Sequence, residues 1–177
     1  MLFEFDPQLA RVTAREMAPQ SLEERQRDIY DSHRHRVFSV SCYMTGSEIE
    51  AEAILQGAFV RAFRQADEPD HAIIDAALVR ELRDQQVLHD EALPPPPAGY
   101  LPRRHNILRT ELEEAIRALP STERLVFLLV DVEGYPAARV AELLHLPGPA
   151  VLRAALTARM RLRAELAAIS DEGEQAA

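Results

Sequence analysis

The chain has no lysine and no tryptophan, one cysteine, six glycines and only 6% aromatic residues. All 20 basic residues are arginine, which we read as a compositional bias rather than a functional signal. A single cysteine, Cys42, excludes an internal disulfide framework and a cysteine-based metal site. Its apolar setting between Val40, Tyr43 and Met44 predicts a buried thiol. No apolar run approaches the ~18 residues that a spanning helix needs. The start, Met1-Leu2-Phe3-Glu4-Phe5-Asp6, lacks the basic and apolar stretches of a signal peptide, so a cytoplasmic location is expected. What is present is Ala, Leu, Glu and Arg in quantity, with few β-branched runs. That balance favours helix. Hydrophobic residues make up 47% of the 177, enough to bury a core.

Net charge is −9, which opposes indiscriminate nucleic-acid binding over the whole surface. The distribution is uneven. Leu143 to Ala164 carries four arginines and no acid, so the rest of the chain carries −13. This basic stretch closes the most patterned part of the sequence, Leu119 to Leu166. Leu125 to Val130 is a continuous apolar run, followed by a breaker, Asp131 to Pro136. Val140, Ala141, Leu143 and Leu144 form a short apolar helix face. His145 to Pro149 interrupts it, and a helix from about Ala150 carries Arg153, Arg159, Arg161 and Arg163. This is the layout of a helix-turn-helix, whose second helix enters the DNA major groove.

Pro94 to Pro97 cannot be helical and favour an extended spacer. The expected organisation is an N-terminal extension at 1–20, a helical domain at 21–88 and a Pro-rich linker at 89–104. A second helical domain follows at 105–169, then a disordered tail at 170–177. In the first domain, Tyr30, His33, Val37, Val40 and Met44 recur at helical spacing. Gly46 is placed to end that helix in the left-handed conformation, and Ser47 to cap the next. That next helix presents Ile54, Ala58, Val60 and Phe63. A third, about His71 to Leu88, presents Ile73, Ala77, Leu78 and Leu82.

Four ordered segments resemble RNA polymerase sigma factors of the extracytoplasmic-function group. They are Ile29 to Phe38 followed by Met44 to Ser47; Glu50-Ala51-Glu52 with Gln56 and Ala58 to Arg64; Ala115 to Pro120 with Arg124 to Leu129 and Asp131 to Tyr135; and Val140 to Leu144 with Val151, Ala158-Arg159 and Leu162-Arg163. The resemblance implies an all-α fold of two small helical domains. One is a three-helix domain like sigma region 2; the other is a helix-turn-helix domain like sigma region 4. It implies binding to core RNA polymerase and promoter-specific initiation of transcription, with promoter DNA and an anti-sigma factor as partners. No reaction is catalysed, no cofactor or metal is needed, and no membrane is involved. Carried over residue by residue, Glu52, Gln56, Phe59 and Arg61 would face core polymerase. Ala150, Val151, Arg153, Ala154, Arg159 and Arg161 would face DNA.

Two departures keep other readings open. Ala53 and Gly57 stand where the family has an acidic pair, and a helical glycine costs roughly 1 kcal/mol against alanine. The segment from Gln65 to Glu91 holds eight acids, two arginines and no aromatic ring, whereas capture of single strands uses positive charge and stacking rings. A sigma-like decoy that binds an anti-sigma factor or another regulator without reading promoters is one alternative. A polymerase-independent helix-turn-helix regulator is another. His33 and His35 sit about 200° apart on a helix, so they cannot share a metal. Glu111, Glu113 and Glu114 read as the solvated face of a helix rather than acid–base machinery.

Overall fold

The structure, a computed structural model, describes residues 20–89, 95, 97 and 107–175, with backbone only beyond 168. Most of the expected linker, the N-terminal extension as far as residue 19, and residues 176–177 lie outside that description.

Helix α1 spans Leu22–Thr45. Ser21 starts it with a reciprocal capping box: its hydroxyl accepts from Glu24 N at 3.2 Å, and its own N–H donates to Glu24 Oε2 at 2.8 Å. Gly46 stops it at φ +72°, with its N–H on Cys42 O at 2.8 Å. Helix α2 spans Glu48–Gln65, and the Ser47 hydroxyl accepts from Glu50 N at 3.3 Å. Helix α3 spans His71–Asp84, with the Asp70 carboxylate accepting from Ile73 N. It ends short of Leu88. Gln86 takes φ +59°, and the Val87 N–H turns back to Leu82 O at 2.9 Å, which closes the helix. Val37, Val40 and Met44 of α1 meet Ile54, Ala58 and Ala62 of α2 and Ile74, Leu78 and Leu82 of α3, all buried.

Helix α4 spans Arg109–Arg117 and α5 spans Ser121–Phe127. The chain then widens into a π-helical turn over Leu128–Val132, so the breaker expected from Asp131 begins two residues later. Six consecutive apolar residues wind right round a helix, so this element can only be satisfied if it is surrounded. It is: Leu125, Val126, Leu128 and Leu129 are all at most 1% exposed. Helix α6 spans Ala137–Leu144 and closes on His145 at φ +57°. Helix α7 runs from Gly148 to Gln175, past residue 169 and into the stretch expected to be a tail.

Among the described residues there is no strand. The fold is two sets of helices, all-α, but their interiors are shared. One apolar cluster joins α1, α2 and α3 to the α5–π segment, α6 and the start of α7. A smaller cluster, Ala115, Ile116, Leu119, Ala158, Leu162 and Leu166, packs α4 on the later part of α7. Arginines stitch the halves together at helix C-termini, where carbonyls lack partners. Arg83 donates to Leu144 O at 3.0 Å. Arg124 donates to Met44 O and Leu119 O, both at 2.8 Å, and to Arg117 O.

Candidate polymerase and DNA interfaces

Helix α2 presents a mixed exposed ridge. Ile49 is 85% exposed and Val60 49%; Glu52, Ala53 and Gln56 lie exposed between them. Gln56 donates to Glu52 Oε1 at 3.1 Å, one turn away. Val60 therefore faces solvent rather than the core position expected of it. Phe59 does the reverse. It is 4% exposed and packs edge-on to Tyr30, with ring centroids 4.8 Å apart, so it is core rather than contact surface. Arg61 is bound within the protein, to Glu81 at 3.1 Å and Asp84 at 2.5 Å. Gly57 also has a local reason. A Cβ there would lie within 3.0 Å of the Glu81 side chain, the group that holds Arg61. The glycine lets α3 bring Glu81 against α2.

Among its described residues, the acidic stretch after Arg64 is largely consumed in such internal bonds. Glu68 pairs with Arg25 at 2.9 Å, Asp70 caps α3, and Glu81 and Asp84 hold Arg61. Its acidity is thus mostly structural. It still offers no aromatic ring.

In the second half, α6, the turn at His145 and α7 form the helix-turn-helix. Val140 and Leu144 on α6 and Val151, Ala154 and Ala155 on α7 are buried in one core. Val151 (0% exposed) and Ala154 (4%) hold the two helices together and do not face DNA, contrary to the expectation from the resemblance. Ala150 is half-buried. Arg161 is also structural: its Nε meets Glu123 Oε2 at 2.7 Å, with both side chains largely buried. Glu123, 1% exposed, takes its second bond from Thr157 Oγ1 at 2.9 Å. Arg159 pairs with Asp131 at 2.6 Å on the surface. Arg153 remains exposed, near the start of α7, in the position from which a reading helix touches bases. Leu152 (61% exposed) and Leu156 (56%) lie exposed to one side of it.

The densest polar cluster was not anticipated. Asp75, 1% exposed, lies on the apolar face of α3. Its Oδ1 meets Arg36 Nη1 of α1 at 2.7 Å, and its Oδ2 meets Arg139 Nη2 of α6 at 2.9 Å. The Tyr135 hydroxyl donates to Asp75 at 3.3 Å and also contacts His71 Nε2. Arg36 and Arg139 lie 5.9 Å and 5.3 Å from the Tyr135 ring centroid. Burial, then the neighbouring Asp75 charge, pushes the Tyr135 hydroxyl up to about 12. Burial holds His71 below its ordinary value; Asp75 opposes that shift and the two arginines reinforce it. His33, 5.1 Å from His71 ring to ring, is lowered by burial and by Arg36. A signal was available in the sequence: Asp75 shares a helix face with Leu78, Val79 and Leu82, where a lone acid needs a partner.

Cys42 is half-buried rather than buried, and burial, followed by Glu48, raises its thiol. Among the described residues, no group of three or more His, Cys, Asp or Glu is placed to hold a metal ion. None of the described helices is long and apolar enough to cross a membrane.

Residues 109–162, which include the helix-turn-helix, match the family described as Sigma-70, region 4. The fold is similar to that of the sigma factor RpoE from Bartonella quintana, solved in complex with the anti-sigma factor NepR. That likeness has a TM-score of 0.55 at 16% identity and covers 81% of this chain and 95% of the other. The family match covers residues 109–162, and the likeness to RpoE, at 16% identity, is one of fold.

Proposed function

We propose that this protein binds core RNA polymerase and directs it to a specific set of promoters. The observation that carries this reading is the region 4 match over a helix-turn-helix whose first arginine on the second helix, Arg153, is exposed. The exposed α2 ridge of Ile49, Glu52, Ala53, Gln56 and Val60 is the surface we assign to core polymerase. Partly apolar, partly polar ridges of this kind suit a protein interface. Arg153 is assigned to base edges or phosphates, with Arg163 on the same helix contributing to the backbone field. Arg159 reaches phosphate only by giving up Asp131. The protein acts by binding and catalyses nothing itself. An anti-sigma factor is assigned as a regulator by analogy with the RpoE–NepR complex. We place the protein in the cytoplasm, where its polymerase would be.

The test is a pull-down of tagged protein from host extract, followed by run-off transcription with purified core enzyme. Recovery of the large core subunits and a discrete transcript are expected. Failure to bind core polymerase would sink the proposal. One observation favours the decoy reading: Leu152 and Leu156 give the reading helix an apolar exposed face suited to a protein partner. Tight capture of a small regulator with no core subunits would establish that alternative.

A further inference from the structure

The Asp75 cluster joins the two halves, and its chemistry differs from that of the apolar contacts around it. The carboxylate belongs to α3 in the first half, and Arg36 of α1 accompanies it there. Arg139 and Tyr135 come from the second half, on the first helix of the helix-turn-helix and the turn before it. We propose that this cluster is a latch: it holds the two halves closed against each other while its charges are complete, and losing one charge releases them.

The physical reason is the balance particular to buried ion pairs. Removing two charges from water costs nearly as much as their attraction returns, so a complete pair adds little net stability. Removing one partner leaves an uncompensated buried charge, which is far more costly. Opening removes that cost by returning Asp75, Arg36 and Arg139 to water. An interface built this way responds steeply to one charge and weakly to apolar trimming at its rim. One buried nitrogen, Arg36 Nη2, has no hydrogen-bond partner in the closed arrangement, so opening would return it to water as well. The latch also occupies Arg139. In a helix-turn-helix the first helix crosses the DNA backbone, so closure withholds a cation from that surface. That consequence rests on the DNA-reading proposal above; the latch itself does not.

Small-angle X-ray scattering of the full chain tests the latch. A compact chain of this length has a radius of gyration of about 16 Å, and two halves apart on a linker roughly 20 Å. Asp75→Asn should move the value from the first towards the second, with helicity by circular dichroism unchanged. Arg139→Glu, which sets an acid against Asp75 across the seam, should do the same and covers the case in which Asp75→Asn unfolds. Arg159→Glu, the same charge change outside the cluster, should leave the radius where it was. An unchanged radius in both latch variants overturns the proposal. Binding of a labelled 30-base-pair duplex, measured on the same samples, keeps the two readings separate. Open variants that bind no DNA would count against the reading role of α7, and the radius would still decide the latch.

Discussion

Arg161 and Arg159 lie two residues apart on a helix that the sequence marks as DNA-facing, yet the structure gives them different work. Arg161→Ala leaves Glu123, 1% exposed, with Thr157 Oγ1 as its remaining side-chain partner among the described residues. Breaking a buried pair from one side costs about 3–5 kcal/mol. At roughly 2–4 °C per kcal/mol for a chain of this size, the melting temperature should fall by about 6–20 °C. Arg159→Ala removes a surface pair with Asp131, for which about 0–1 kcal/mol is expected. Replacing both buried partners with apolar residues of similar size, Glu123→Leu with Arg161→Met, should restore most of what Arg161→Ala loses. Thermal and urea unfolding followed by circular dichroism reads all four proteins. If Arg161→Ala and Arg159→Ala lose the same small amount, the buried pair has been misjudged and Arg161 returns to the list of DNA contacts.

Three further outcomes follow from the same geometry. Arg153→Ala should leave stability within about 0.5 kcal/mol and weaken promoter binding by about 1–3 kcal/mol if it reads a base, as fluorescence anisotropy would show; an unchanged affinity would remove α7 from the reading role. Gly57→Ala should not deliver the ~1 kcal/mol that helix propensity offers, because its Cβ displaces Glu81 from Arg61; with Glu81→Ala already in place the gain should appear, and additive unfolding energies would refute the coupling. Acid should loosen the closed arrangement. His71 binds its proton less readily closed than open, so closure is fully favoured above the ordinary histidine value and weakens as pH falls below it. The groups facing His71 are Asp70, Asp75, Arg36, Arg139, Tyr135 and His33. Scattering at falling pH should show expansion that His71→Gln reduces, and a wild-type radius independent of pH would exclude this account.

Much of the fold was legible because its causes are local. Gly46 and Ser47 announce a stop and a start, and the structure puts a left-handed residue and a helix cap there. The helix-turn-helix was readable because two short apolar faces and a breaker have few other uses. The interruption at His145 was visible in the sequence; the left-handed φ of that residue was not. The candidate sites were less legible. Helical spacing gives a residue's angle round its own helix, not which side the neighbouring helix covers. Phe59 and Val60 are adjacent, and the assignment of one to contact and the other to core came out reversed. Val151 and Ala154 failed for the same reason: the face of α7 that covers α6 is decided by how the two helices cross.

The sequence by itself determined that helices form and in what order, the stop at Gly46 and start at Ser47, and the basic character of the last helix. These depend on residues a few positions apart, and backbone propensity and side-chain capping act at that range. Only the tertiary structure decided what the charges do. Glu68, Glu81 and Asp84 look like part of an eroded nucleic-acid surface until Arg25 and Arg61 are seen to pair with them. Asp75 looks like an isolated acid until Arg36 and Arg139 close on it from 39 and 64 residues away. An ion pair forms where the folded chain brings two charges together out of water, and no local pattern records that distance.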